Sequence, residues 1–233
     1  MAEKEGIKKM DVAREAQVFL QPIAAPSILG LFALAGSTFM VGAWMAGWYG
    51  SATTPSLLAP FIGIFGGLAQ FFAAMWAFKA RDGLASAIHG TWGSFFIGYG
   101  LLSVMLLAQP QLQPAGIFFP ELGIYYVVIA AVTWFCTLAA MSQSKVLTLV
   151  LTLLSAAATA GAVAFFSGAV WVERLSGYLM VIGSFCACYD ATAQVLKEVY
   201  GHEILKIGLS RRMAEGPPIM VGTGEPGVIH GQR

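Results

Sequence analysis

Charge is what this 233-residue chain has least of: Asp, Glu, Lys and Arg together make up 11% of it, against about 25% in soluble domains. Hydrophobic residues make up 58%, too much to fold away behind a polar surface in water. An excess of one sign is missing as well. With 13 Lys and Arg against 12 Asp and Glu, there is no basic face for a phosphate backbone, which excludes nucleic acid as a partner.

Groups that make or break bonds are equally scarce. Cys136, Cys186 and Cys188 all lie in apolar runs rather than in loops that a disulfide could staple. Cys186 and Cys188, two apart on a helix, point in different directions and cannot pinch one metal. His89, His202 and His230 are scattered and lack the HExxH spacing of a membrane metalloprotease. Asp190, after Tyr189, has no second Asp within an apolar run to share a proton, as an aspartyl protease requires. No catalytic residue, metal or cofactor is expected, and the chain does not read as an enzyme.

What is present is apolar length. Six runs, at about 26–48, 57–78, 84–107, 122–141, 146–167 and 175–196, are each long enough to cross a hydrocarbon core about 30 Å thick. The first exceeds a signal-peptide core and reads as a retained span. The expected class is an all-α integral membrane protein with six transmembrane helices. The connections GSATTPS, KARDG, AQPQLQPAGIFFPE, SQSK and GAVWVER are too short to hold a folded domain. The membrane domain is therefore expected over 24–208. Residues 1–23 are either a cytosolic tail or a short interfacial helix with Ile7, Met10 and Val18 on one side. Residues 209–233, rich in Gly and Pro, are expected to be a disordered cytosolic tail.

Lys and Arg are divided unequally between the two sides. The N-terminal segment has four, the second connection two, the fourth one and the stretch after the last run five; of the remaining connections only the fifth has one, Arg174. The positive-inside rule then predicts a multi-pass protein with both termini in the cytosol.

Ionisable groups are expensive inside a membrane, and the runs contain two near their cytosolic ends, His89 and Asp190. Each is a candidate for the mouth of a polar pathway, with snorkelling to interfacial water as the alternative. His89, Trp92, Phe96 and Tyr99 share one helix face, with Thr91 and Ser94 beside it. That face either packs or lines a passage. Gln70 either ties two helices together or offers a hydrogen-bonding step. Small residues four apart, such as Gly42 and Ala46 or Gly63 and Gly67, predict close helix packing.

In order and spacing, PSILGLFALAG, FIGIFGGLAQFFAAMWAFKARDG and GTWGSFFIGYGLL resemble the first three helices of the acetate uptake transporter family, which groups bacterial succinate-acetate permeases with fungal relatives. ELGIYYVVIAAVTW resembles the family's fourth helix and QVLKEVYGHEILKIG the segment that ends its sixth, so the likeness runs from about Ala24 to Gly208. The most specific pieces are FGGLAQ at Phe65 to Gln70 and WGSFF at Trp92 to Phe96.

The resemblance implies a urea-channel-like homo-hexamer in the inner or plasma membrane, each protomer holding its own path for acetate. It also implies a constriction of three apolar side chains, here Leu34, Trp92 and Leu154. Leu34 stands where the family usually has Phe, and Trp92 where it has Tyr. Ala77 and Gln194 stand where relatives often have Glu, which leaves Asp190, one turn before Gln194, as the substitute carboxylate.

The expected function is transport of acetate, and of short monocarboxylates or succinate, as an anion channel or a proton-linked symport. Leu34, Trp92 and Leu154 would form the gate. Gln70, Thr91, Ser94 and Thr38 would be polar steps, and Asp190 and His89 proton or gate residues. Two alternatives remain: a path for a small neutral solute such as ammonia or urea, and a non-transporting sensor or assembly subunit.

Overall fold

The computed structural model describes residues 24–114 and 116–210. The expectations for 1–23 and for the tail beyond Ser210 lie outside these residues. Six helices are long and apolar enough to cross a membrane: α1 Pro26–Met45, α2 Thr54–Lys79, α3 Gly83–Ala108, α4 Pro120–Ala140, α5 Lys145–Ser167 and α6 Val170–Tyr200. They agree with the six apolar runs to within a few residues. The exception is α6, which begins five residues earlier and so takes Glu173 and Arg174 into its first turns.

The helix ends follow local chemistry. Pro26 opens α1, where its fixed φ suits a first helical position. The Asp82 carboxylate accepts from the Ala85 N–H at the start of α3, and the Ser144 hydroxyl accepts from the Leu147 N–H at the start of α5, each satisfying an orphan donor. Gly168, at φ +69°, and Gly201, at φ +73°, end α5 and α6 in the left-handed conformation that glycine adopts without strain.

Helix α2 is not uniform. After an α-helical stretch Thr54–Phe61 that contains Pro60, it winds as a π-helix over Ile62–Ala69 and returns to α-helix at Gln70. Pro60 has no N–H to continue the ladder, and Gly63, Gly66 and Gly67 tolerate the wider turn that follows.

Successive helices pack on one another, and α6 returns to close against α1, giving a ring of six around a buried centre. Two seams depend on glycine. A Cβ at Gly177 would strike the backbone of Ala46 and the Gly42 carbonyl, so α1 and α6 meet backbone to backbone. A Cβ at Gly93 would stand 2.8 Å from the Phe71 nitrogen and 2.9 Å from the Gly67 oxygen, which fixes the α2–α3 seam. Outside, Leu57, Phe61, Ile64, Phe135, Leu138 and Trp171 are exposed, as suits a surface solvated by lipid rather than water.

Helices α1, α3 and α5 start at the end of the bundle where Ala24 and Ser210 lie, here the near end; α2, α4 and α6 finish there. After Gly201 the chain folds back across this end. The Tyr189 hydroxyl donates to the Lys206 carbonyl, Val146 N–H to Ile207 and Lys145 N–H to Gly208. Leu209 bridges Ser144, so this strap is held as far as Ser210, whose N–H donates to the Gln143 carbonyl.

Candidate permeation path

Leu34 stands eight residues after the start of α1, Trp92 nine after that of α3 and Leu154 nine after that of α5. At 1.5 Å per residue all three lie about 12–14 Å into the bundle from the near end. All are fully buried and belong to one core cluster. The even-numbered helices bring polar groups to about the same depth: Gln70 from α2 and Thr133 from α4, both with no exposed surface. The Trp92 indole N–H donates to the Thr133 hydroxyl at 3.1 Å, which fixes the orientation of the ring.

Above this layer stands a plug of aromatic rings. Phe95 meets Trp92 at 5.5 Å between centroids, Phe96 at 5.3 Å and Tyr126 at 5.2 Å. Tyr126 in turn meets Phe165 at 5.1 Å. These edge-on contacts fill the space between the helices. The stripe of His89, Trp92, Phe96 and Tyr99 is buried along its whole length.

A cavity lies on each side of the plug. At the near end a space of about 350 Å³ is lined by Leu31, Ile88, His89, Leu151, Asp190 and Gln194, with Leu205 and Ile207 of the strap. Leu31, Ile88 and Leu151 stand one turn before Leu34, Trp92 and Leu154, so its floor is the underside of that layer. At the far end a space of about 720 Å³ is lined by Trp44, Tyr99, Ser103, Phe165, Glu173 and Arg174, among others. Tyr99 is seven residues beyond Trp92, leaving a closed section about 10 Å thick. Outside the spans, partial burial holds the Tyr49 hydroxyl above its ordinary pKa; it stays protonated and donates to the Met40 carbonyl.

His89 and Asp190 thus share one cavity wall, and both are almost fully buried. Asp190 Oδ1 accepts from Gln194 Nε2 at 3.3 Å. Gln70 Nε2 donates to the Gly66 carbonyl at 2.7 Å, which leaves its Oε1 facing His89 Nδ1 at 3.4 Å. This geometry places the imidazole proton on Nδ1.

The other polar candidates do not gather here. The Thr38 hydroxyl is buried but turned back on its own helix, donating to Leu34 O at 2.7 Å. Thr91 is half-buried, and Ser94 is exposed with its hydroxyl on the Gly90 carbonyl. Sequence reasoning passed over Thr133, Tyr126 and Ser37. Ser37 was within reach, since it follows Leu34 by three positions on the same helix face. Thr133 had no signal, because its partner Trp92 is 41 residues away.

Comparison with known proteins agrees with the six-helix fold. The family model described as the GPR1/FUN34/yaaH family matches residues 9–204. The succinate-acetate/proton symporter SatP of Escherichia coli is 28% identical over 192 residues, 81% of this chain and 97% of that protein. The ammonia transport outward protein 2 of Saccharomyces cerevisiae is 25% identical over 177 residues, 74% of this chain and 61% of the longer yeast protein. The solved structure titled as the bacterial acetate channel SatP superposes with a TM-score of 0.71 at 24% identity, covering 80% of this chain and all of that one. The arrangement of six helices is thus a known fold, and the chain belongs to the GPR1/FUN34/yaaH family.

Proposed function

We propose that this protein moves acetate, with other short carboxylates such as succinate, across a cell membrane through a path in each protomer. The observation that carries the reading is the pair of cavities aligned on either side of one buried layer, in a chain whose outer surface suits lipid. The matched symporter and acetate channel support the choice of solute. Leu34, Trp92 and Leu154 act as the gate: an apolar ring strips water and excludes hydrated ions, while a small carboxyl group with a methyl tail passes after brief desolvation. Asp190 and His89, in the wall of the near cavity, exchange the proton that neutralises the carboxylate before or after it crosses.

The distribution of Lys and Arg supports a near end that faces the cytosol. Membership of the family supports a hexamer in the inner or plasma membrane, built on a membrane domain over 24–208. Radiolabelled acetate flux into liposomes containing the purified protein, with and without an imposed pH gradient, tests the reading. Gradient-driven accumulation identifies a symport and gradient-independent equilibration a channel. Absence of acetate flux from folded protein overturns the proposal.

A second reading is a path for ammonia. It is favoured by the yeast relative's name and by a buried layer whose polar members, Gln70 and Thr133, are neutral. Ammonia flux that acetate does not inhibit, with no flux of acetate itself, would replace the first reading with the second.

A further inference from the structure

Polar groups climb one side of the apolar layer in sequence. His89 faces Gln70 at 3.4 Å. Gln70 donates to the Gly66 carbonyl, and Gly66 stands directly against the Ser37 hydroxyl, so closely that a Cβ on it would fall on Ser37 Oγ. Ser37 lies one turn beyond Leu34 in the plug, with Phe96 beside it. It has no exposed surface, and its hydroxyl is the one buried side-chain polar atom among the described residues without a hydrogen-bond partner.

An unsatisfied hydroxyl in a dry interior is unfavourable, and native proteins rarely keep one without a use. Neighbouring hydroxyls show the contrast. Thr38, Ser103, Thr133 and Ser155 all donate to a carbonyl of their own helix, which commits their protons. Ser37 also stands against the stretch of α2 that is wound as a π-helix, a local widening of a kind often found at functional sites.

We infer that Ser37 is a binding residue for the carboxyl group of the permeating solute inside the plug, the last step of a hydrogen-bonding track that runs from His89 through Gln70. The carboxyl end of a short acid slides along this track on α1, α2 and α3 while its alkyl end faces Leu34, Trp92 and Leu154. The two surfaces therefore divide the task. The track reads the head group, and the apolar layer reads chain length.

This inference rests on the acetate-transport reading, and the experiment separates the two. Equilibrium exchange of radiolabelled formate, acetate and propionate is measured in liposomes for the full-length protein, for Ser37→Ala and for Leu34→Ala, alongside thermal unfolding of each. Any solute must pass the plug in either direction, so mixed orientation in the vesicles does not hide an effect. Ser37→Ala is expected to slow exchange of all three acids by a similar ~5-fold with no loss of thermal stability, since no protein group loses a partner. Leu34→Ala is expected to change the ratio of propionate to formate instead. Exchange by Ser37→Ala at the wild-type rate, or a Ser37→Ala protein that melts earlier or fails to fold, would overturn the assignment of Ser37. Folded wild-type protein without acetate exchange would overturn the transport reading and this inference with it.

Discussion

The two ends of the bundle differ in a way that locates the work. The near cavity, about 350 Å³, is the smaller; its floor is the apolar layer, and its wall holds two almost fully buried ionisable groups, His89 and Asp190. The far cavity, about 720 Å³, is walled by Trp44, Tyr99 and Phe165, with its charged residues Glu173 and Arg174 in the first turns of α6. A solute entering from the far side meets a wide antechamber and then a plug about 10 Å thick. From the near side it meets a strap, a smaller chamber and, at once, the ring. The apolar ring thus forms the near face of the plug, and the two ionisable groups stand in the chamber beside it.

Trp92 should show the largest effect, because it belongs to both sides. Trp92→Ala removes a fully buried indole and its bond to Thr133, lowering stability by about 3–5 kcal/mol, read as an earlier melting transition. In protein that remains folded, exchange of butyrate relative to acetate should rise about tenfold. An unchanged ratio would mean that the ring does not set chain length.

At the near end, Asp190→Asn keeps the shape of the cavity and removes its carboxylate. Acid-driven acetate uptake should fall about tenfold at equal membrane abundance, whereas wild-type uptake at every pH would remove Asp190 from the mechanism. The strap gives a smaller effect. Tyr189→Phe deletes the hydroxyl on the Lys206 carbonyl, and amide hydrogen exchange over residues 203–209 should quicken about fivefold. The smallest effect belongs to the far rim: Arg174→Gln should raise the half-saturating acetate concentration about twofold at low ionic strength and not at all in high salt. An effect there as large as that of Asp190→Asn would cancel the contrast between the ends.

Much of this was legible in the sequence because it rests on composition. Apolar length fixed six spans, and the placement of Lys and Arg separated the ends. The three members of the apolar layer came from resemblance, since Leu34, Trp92 and Leu154 look like ordinary core residues on periodicity alone. The structure added what is carried by contacts distant in the chain. The strap is held largely by backbone groups of the turn before α5 and of the first residues of α5, which leave no side-chain pattern. The Gly42–Gly177 seam joins helices at opposite ends of the sequence; only its first half had been picked out as a small-residue pair. Ser37 stands out only because Gly66 faces it and no acceptor does. Thr91 and Ser94 show the opposite case: polar residues beside a buried stripe can face away from it, as Ser94 does.

In the proposed path, Leu34, Trp92 and Leu154 separate two chambers. The most direct test places one cysteine in each chamber, Leu151→Cys near and Ser103→Cys far, in a protein whose Cys136, Cys186 and Cys188 are replaced by Ala. A membrane-impermeant thiol reagent is added to one face of oriented vesicles during acetate exchange. Each cysteine is expected to react only from its own face, and either reaction is expected to stop exchange. Reaction of both from the same face, or full labelling that leaves exchange untouched, would contradict this separation.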